Sequence, residues 1–581
     1  MTLRQDPALR YSSVAQLSED LDRYLDGLPV VARGYSTAYI ATRFVQRNKA
    51  LTATAALVVV TLIGGMITTR RAQARAERRF HEVQTLAHAM VFDYSDSIRG
   101  LAGATEVEKK LVTDAMTYLD GLARDAADDI PLRRDLLSSY TKMSEVQGDP
   151  FHPNLGETAA ALATVQKALT IGERLIKDDQ APETRMTLAT AYKTAANVVS
   201  STGDLQGVAD YSLRAAALYE TLSAQNPSDV RLLLSLSETY WGLGDMFGGP
   251  GMHNLGKSRQ GLAYYERALA TARAAEKLQS SPDASTRLRV FGSIDTLGAM
   301  ELALGHADLA SRYGLDALQL IRTLVAEQLN NAVKRSALSM ALDHVGRQLL
   351  AAGRVDDALS AYREGETMAR AAVAADLKNF SNKRRLGIIL GYLSVVQRKH
   401  GDGAAAVASA QESLDLMQTL STADPSNADF RTDVATGYRR LAEAQVDAGQ
   451  PDAALRAAAD ALSRYESSPT RTNTFLTLGM ARALLVRGSA ELALKQSAAS
   501  VQSLQRAHDL LAPLHQRDAD SAVIQTELAR SASRLAAALK ANGQTIPAES
   551  VLAEARGLWA DLRQKGTLLP QDAAEAQNNS F

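Results

Sequence analysis

The side chains of this chain that could do chemistry are scattered, and their spacing argues against a catalytic or metal centre. None of the nine histidines falls in a His-Glu-x-x-His or comparable ligand spacing. His81, His88, His306 and His515 each stand alone in helical or turn contexts. Paired carboxylates such as Asp128-Asp129 and Asp178-Asp179 sit in polar loops at predicted helix ends. An acid–base dyad there would lack the burial that separates two pKa values, so they are read as solvated. Arg384-Arg385 and Arg439-Arg440 are likewise read as charge pairs on solvated helix faces. The absence of cysteine excludes disulfides, thiolate metal sites and cysteine nucleophiles. Two loops share a pattern: Gly148-Asp149-Pro150-Phe151-His152-Pro153-Asn154-Leu155-Gly156, and Gly244-Asp245-Met246-Phe247 followed by His253-Asn254-Leu255-Gly256. As related insertions on one edge of the fold they would present Phe151, His152, Asn154, Phe247, His253 and Asn254 to a partner. The competing reading makes the Asn and Gly turn residues and the phenylalanines caps of the core. No residue is expected to be catalytic, and no cofactor or metal is expected.

The elements that would carry these residues are helical. Aromatics make up 5% of the 581 residues, there are only 15 prolines, and alanine and leucine dominate, which is the composition of packed helices. The balance of 64 basic and 65 acidic residues gives no global field for nucleic acid, so none is expected as a partner. Ala50 to Thr69 carries no charge and is apolar through Leu57-Val58-Val59-Val60-Thr61-Leu62-Ile63. About 20 such residues would span a bilayer core of ~30 Å, and Arg47, Lys49, Arg70 and Arg71 flank the stretch. This predicts a single transmembrane helix, with Arg70, Arg71, Arg75, Arg78 and Arg79 available to anionic lipid.

From about residue 130 the sequence repeats. Gly305, Gly353, Gly401 and Gly449 are each 48 residues from the last, Gly543 continues the period, and five positions later stand Ala310, Ala358, Ala406, Ala454 and Ala548. Gly203 and Val208 hold the same places in an earlier repeat, while the repeat near residue 496 lacks its glycine and keeps Val501 in register. Pro182, Pro227, Pro282, Pro425 and Pro469 fall where a new first helix should begin. Phe430, Val434, Tyr438 and Leu441 form one apolar stripe, and Leu455, Ala458 and Leu462 the facing one. Each repeat is therefore a helical hairpin that leaves apolar surface uncovered, and eight or nine of them should stack as an α-solenoid.

Gly353-Arg354-Val355-Asp356-Asp357-Ala358-Leu359-Ser360-Ala361-Tyr362 and Tyr264-Tyr265-Glu266-Arg267-Ala268-Leu269 resemble the second helix of a tetratricopeptide repeat. That family's period is 34, so a period of 48 implies longer helices here. In the head, Ser13-Val14-Ala15-Gln16 reads as a capping box, and Leu17, Leu21 and Leu25 share one face of a helix that Gly27 and Pro29 stop. Asp6-Pro7-Ala8-Leu9-Arg10-Tyr11-Ser12-Ser13, Leu17, Asp20-Leu21, Tyr24-Leu25 and Gly27-Leu28-Pro29-Val30 together resemble the last helix of a bacterial serine/threonine protein kinase domain. The resemblance implies that Arg10 matches the arginine that pairs with a glutamate of the activation segment. It also implies a kinase domain upstream, to which ATP and magnesium would belong, since the phosphate loop, strand lysine and catalytic aspartates are absent from this chain.

Together these readings predict an all-α chain: a kinase remnant at 1–32, a basic linker at 33–49, a transmembrane helix at 50–69, a juxtamembrane helical stalk at 70–129, a tetratricopeptide-like solenoid at 130–564 and a disordered tail at 565–581. The expected function is the sensor or scaffold part of a membrane-anchored serine/threonine kinase that binds a protein or peptide in its groove. The rival is a stand-alone membrane-anchored scaffold with a vestigial kinase helix. The head would be cytoplasmic and the repeats periplasmic or extracellular, with Gly64-Gly65 permitting a homodimer.

Overall fold

In the computed structural model the described residues are 10–33, 36–54, 57–58, 60–66, 70, 105–125, 129–150, 154–250, 252–327, 332–425, 427–467 and 474–578. The chain divides into two bodies, Met1–Gly100 and Leu101–Phe581.

In the first body, Ser13 caps the helix Val14–Leu25 by accepting from the Gln16 amide. The Gln16 side chain reaches back to the Ser12 amide at 2.8 Å, a capping box displaced by one residue. Asp20 is the head's organising residue, accepting from the Tyr11 hydroxyl at 2.5 Å and from the Val31 and Ala32 amides at 2.6 and 2.8 Å. Leu21 and Leu25 are exposed. A second helix, Thr37–Arg47, ends at Asn48, whose φ of −113° and ψ of 47° leave the helical region.

The transmembrane expectation for 50–69 is corrected here: among the described residues no helix is long and apolar enough to cross a membrane. The single-pass localisation, and the membrane as a partner, fall with it.

The second body holds nine helical hairpins among its described residues. Hairpin 1 is Ile130–Gly148 with Thr158–Asp178, hairpin 2 Pro182–Ser200 with Leu205–Gln225, and hairpin 3 Val230–Gly248 with Ser258–Lys277. Hairpin 4 is Ala284–Ala303 with Ala307–Glu327, hairpin 5 Ala332–Ala351 with Val355–Ala375, and hairpin 6 Phe380–His400 with Gly403–Ala423. Hairpin 7 is Ala428–Asp447 with Pro451–Glu466, hairpin 8 Thr474–Ala493 with Ser497–Arg517, and hairpin 9 Ala522–Ala541 with Thr545–Gln564. The long period thus resides in the helices, most of them 19 to 21 residues long.

The period-marking glycines take positive φ: 91° at Gly305, 74° at Gly353, 97° at Gly401 and 72° at Gly449. The backbone there closes as in a Schellman motif, with the Asp402 amide donating to Gln397 O and the Gly401 amide to Arg398 O. In hairpin 8 the left-handed position falls on Lys495, with φ 61°. The small residue five places on is then Ser500, fully buried and donating to Gly488 O, and not Val501. Two residues have been lost from that repeat, which shifts its register. Pro182 opens its helix, whereas Pro227, Pro282 and Pro425 stand two or three residues earlier, in the turn, and Pro469 lies outside the described residues.

Both ends of the stack are capped. Thr105–Asp125, expected as part of a stalk, packs as a second helix ahead of hairpin 1, with Val112, Ala115, Leu119 and Leu122 buried. Its Asp120 accepts from the Tyr140 hydroxyl at 2.7 Å and from Lys167 at 2.6 Å. The same arrangement recurs at Tyr192, Glu173 and Arg214, and again at Tyr240, Glu220 and Arg267. At the other end, residues expected as a disordered tail form the turn Pro570–Asp572 and the helix Ala573–Asn578. They occupy the first-helix place of a tenth repeat and bury Leu569, Asp572 and Ala576.

Candidate partner-binding wall

Along the stack, successive first helices pack on one another, while second helices pack mainly on first helices. The first helices are therefore the more closely spaced row and line the inside of the curve. Covered on both flanks, they bury polar as well as apolar residues, including Asp295, Asp343, Gln348, Arg439, Arg440 and Glu527. A helix covered this way loses the one-sided apolar stripe that marks an ordinary surface helix.

The polar residues form a ladder along this wall. Arg398 reaches Glu443 at 2.8 Å and Asp447 at 2.7 Å, and Arg439 shares Glu443. Arg482 meets Glu527 at 2.8 Å, and Arg530 meets Glu527 at 3.0 Å, Asp572 at 2.9 Å and Glu575 at 2.8 Å. Partners in neighbouring hairpins stand 42, 45 or 49 residues apart, one repeat give or take up to about two helical turns. Burial pushes the carboxyls of Glu443 and Glu527 up, but the surrounding guanidiniums outweigh it and hold both down at about 2.

One part of the wall is not balanced. Tyr392 lies between Arg347, 5.1 Å from its ring centroid, and Arg440, 3.8 Å from it. Burial raises the pKa of the Tyr392 hydroxyl, yet the two guanidiniums bring it below the ordinary value. Arg440 is only 8% exposed, and among the described residues no carboxylate lies within 4 Å of its guanidinium or of the Arg385 guanidinium. Desolvation lowers the pKa of Arg385 against the attraction of Asp343. Arg384-Arg385 and Arg439-Arg440, read from sequence as solvated faces, are thus part of the wall, because the neighbouring first helices cover them. The signal that could have found them is the 45- and 49-residue spacing of opposite charges, as between Arg384 and Asp433.

The two loops singled out in the sequence are built alike. Asn154 donates to Asp149 O and accepts from the Gly156 amide, and Asn254 donates to Gly249 O and accepts from the Gly256 amide, each at 2.8 Å. Phe247 is buried and stacks on Tyr264 at 5.4 Å, while His253 is partly exposed. Phe151 and His152 lie outside the described residues. The second loop meets the chain again about five and a half repeats later: Ser258 donates to Asp518 at 2.5 Å, and Arg259 pairs with Asp520 at 2.9 Å. Likewise Leu569 packs on Ala307 and Ala351. Successive turns of the superhelix therefore touch. The carboxylates Asp178 and Asp179, read as solvated, bind Arg133 and Arg134 within hairpin 1, and Asp179 also accepts from the Thr184 hydroxyl, which ties hairpin 1 to hairpin 2.

No family model matches the chain, and no curated protein matches it. Among solved structures it is similar to the apo form of RapI, with 10% identity and a TM-score of 0.44 over 71% of this chain and 98% of that one. A Rap protein complexed with competence and sporulation factor gives 11% identity and a TM-score of 0.41, over 75% of this chain and 99% of that one. A tetratricopeptide repeat protein from Parabacteroides merdae gives 14% identity and a TM-score of 0.32, over 59% and 98%. These likenesses concern the helical-repeat fold alone, and nothing among them supports a kinase origin for the head.

Proposed function

We propose that this chain is a scaffold that binds a protein or peptide along its row of first helices, and that its work is binding and not catalysis. The observation that carries this reading is the wall itself: adjoining first helices with half-exposed arginines and ring faces, such as Trp241 beneath Arg289 at 5.2 Å. Guanidiniums and aromatic rings held by packed helices recognise extended or helical segments at small entropic cost. The test is selection of a displayed random-peptide library on the full chain, with binding then mapped by substitution. Trp241→Ala and Arg289→Gln should release selected peptides, whereas Arg322→Gln and Arg370→Gln, on second helices, should not. Release by the second-helix pair alone would refute the reading.

The resemblance of residues 6–30 to a kinase's closing helix extends the proposal: the scaffold serves a serine/threonine kinase, which would hold ATP and magnesium. Translating the DNA upstream of Met1 in frame tests this extension. A stop codon adjoining Met1 would instead favour a free-standing scaffold.

A further inference from the structure

Two arginines, Arg347 and Arg440, stack on the Tyr392 ring. On the first helices of hairpins 6 to 9 stand 13 basic and 6 acidic residues, against 6 basic and 9 acidic on the second helices of the same hairpins. In these four hairpins the positive charge thus stands on the inner row and the negative charge on the outer one, although the formal net charge of the chain is −1. Most of that inner charge is matched within the wall, by Glu443, Asp447, Asp433 and Glu527. Among the described arginines of hairpins 6 to 8, Arg385 and Arg440 have no carboxylate within 4 Å. A buried guanidinium without an anion carries a desolvation cost that a bound anion would offset, so a cation left in this state marks a place for one.

The chain itself shows which anion the row accepts. Its last segment, Pro570 to Asn578, lies in the first-helix row and presents Asp572 and Glu575, three residues apart. These carboxylates meet Arg530 at 2.9 and 2.8 Å, and Glu575 also faces Arg534 at 3.6 Å. The geometry is that of a short acidic helix laid against arginines of a first helix.

We propose that the wall of hairpins 5 to 7 binds an acidic polypeptide segment, whose carboxylates pair with Arg440, stacked on Tyr392, and with Arg385, on the same first helix as Tyr392. This names the partner class of the binding surface proposed above and rests on that reading. A polypeptide fits better than a nucleic acid. Asp343 and Asp433 stand among the arginines, and they would repel a continuous phosphate backbone while leaving gaps that separated carboxylates avoid. The planar guanidiniums, fixed by stacking and by packed helices, suit carboxylate pairs.

The test uses the full chain and three fluorescein-labelled probes: a glutamate-rich helical peptide, its glutamine counterpart, and a single-stranded DNA oligomer. Anisotropy should show the acidic peptide binding at least about tenfold tighter than the glutamine peptide, the worth of one good charge pair, and weakening with salt. Arg440→Gln and the more exposed Arg385→Gln should each cost the acidic peptide about tenfold while leaving helicity by circular dichroism unchanged. If Arg440→Gln fails to fold, Arg385→Gln alone decides. Equal affinity for the acidic and glutamine peptides overturns the proposal, as does indifference to both substitutions. If the glutamine peptide binds equally and Trp241→Ala releases it, the scaffold reading stands and only the acidic specificity falls. Tighter binding of the DNA would also overturn the inference.

Discussion

Glu527 offers the sharpest test of how the inner ladder holds the stack together. It joins Arg482 of hairpin 8 to Arg530 of hairpin 9 at 2.8 and 3.0 Å and is 7% exposed. Its carboxyl is held at about 2 in place of 4.5. Since the folded value lies below the unfolded one, the stabilisation is complete above pH 4.5 and is lost as pH falls through 2. Over that interval it amounts to about 3 kcal/mol. Glu527→Gln keeps the shape and removes the charge, so it should destabilise hairpins 8 and 9 by about 2–3 kcal/mol at pH 7 and by less than about 1 kcal/mol near pH 2.5. Because a repeat array unfolds by neighbour-coupled steps, the suitable assay is hydrogen exchange resolved by segment. Protection should fall across 474–578 and stay unchanged across 182–225. A double-mutant cycle with Arg482→Gln should return a coupling of at least about 1 kcal/mol. A loss of the same size at pH 3 and pH 7, or one spread evenly over all hairpins, would show that the ladder is packing and not charge.

Lys495→Gly should stabilise the chain by about 1 kcal/mol in thermal or urea unfolding, because a side chain at φ 61° is strained where glycine is not; Gly401→Ala, at φ 97° in open space, should cost about as much. Burial raises the Asp245 carboxyl from 3.8 to about 6 despite the hydrogen bond from Tyr265. The native state therefore favours the protonated form, and that stabilisation is full below pH 3.8 and lost as pH rises through 6. Asp245→Asn should then gain about 2 kcal/mol at pH 8 and nothing at pH 3.5, read from unfolding midpoints at the two pH values. Ser258→Ala leaves the buried Asp518 without its 2.5 Å donor. It should cost about 1–2 kcal/mol and raise hydrogen exchange both at 249–258 and at 517–521.

The all-helical hairpin stack was legible because it rests on local rules. A glycine that must turn left-handed and an alanine five residues on that lets helices approach both leave a mark at every repeat, from Gly305 and Ala310 onward. The mark failed where a residue outside the rule took the position, so Lys495 hid the true register of hairpin 8. Apolar content was a weaker guide. It made 50–69 look like a membrane span, yet no helix among the described residues has the length and apolarity to be one. Charge was read least well, since Arg439 and Arg440 look like any solvated pair until the helices on either side are seen to cover them.

The two related loops show why a motif alone does not assign a role. Asn154 and Asn254 hold their turns by the same pair of hydrogen bonds. Asn254 and Gly256 are nonetheless buried while Asn154 and Gly156 are exposed. The difference comes from residues 260 positions away: Arg517 lies so near Gly256 that a Cβ there would meet its Cγ at 2.9 Å, whereas nothing stands within 4 Å of the same point on Gly156. A superhelix that returns on itself after about five and a half repeats gives identical loops different neighbours according to their place in the stack. The candidate loop residues thus divide by position and not by type, and the surface left for a partner is the inner row of first helices, where neither Arg385 nor Arg440 has a carboxylate within 4 Å among the described residues.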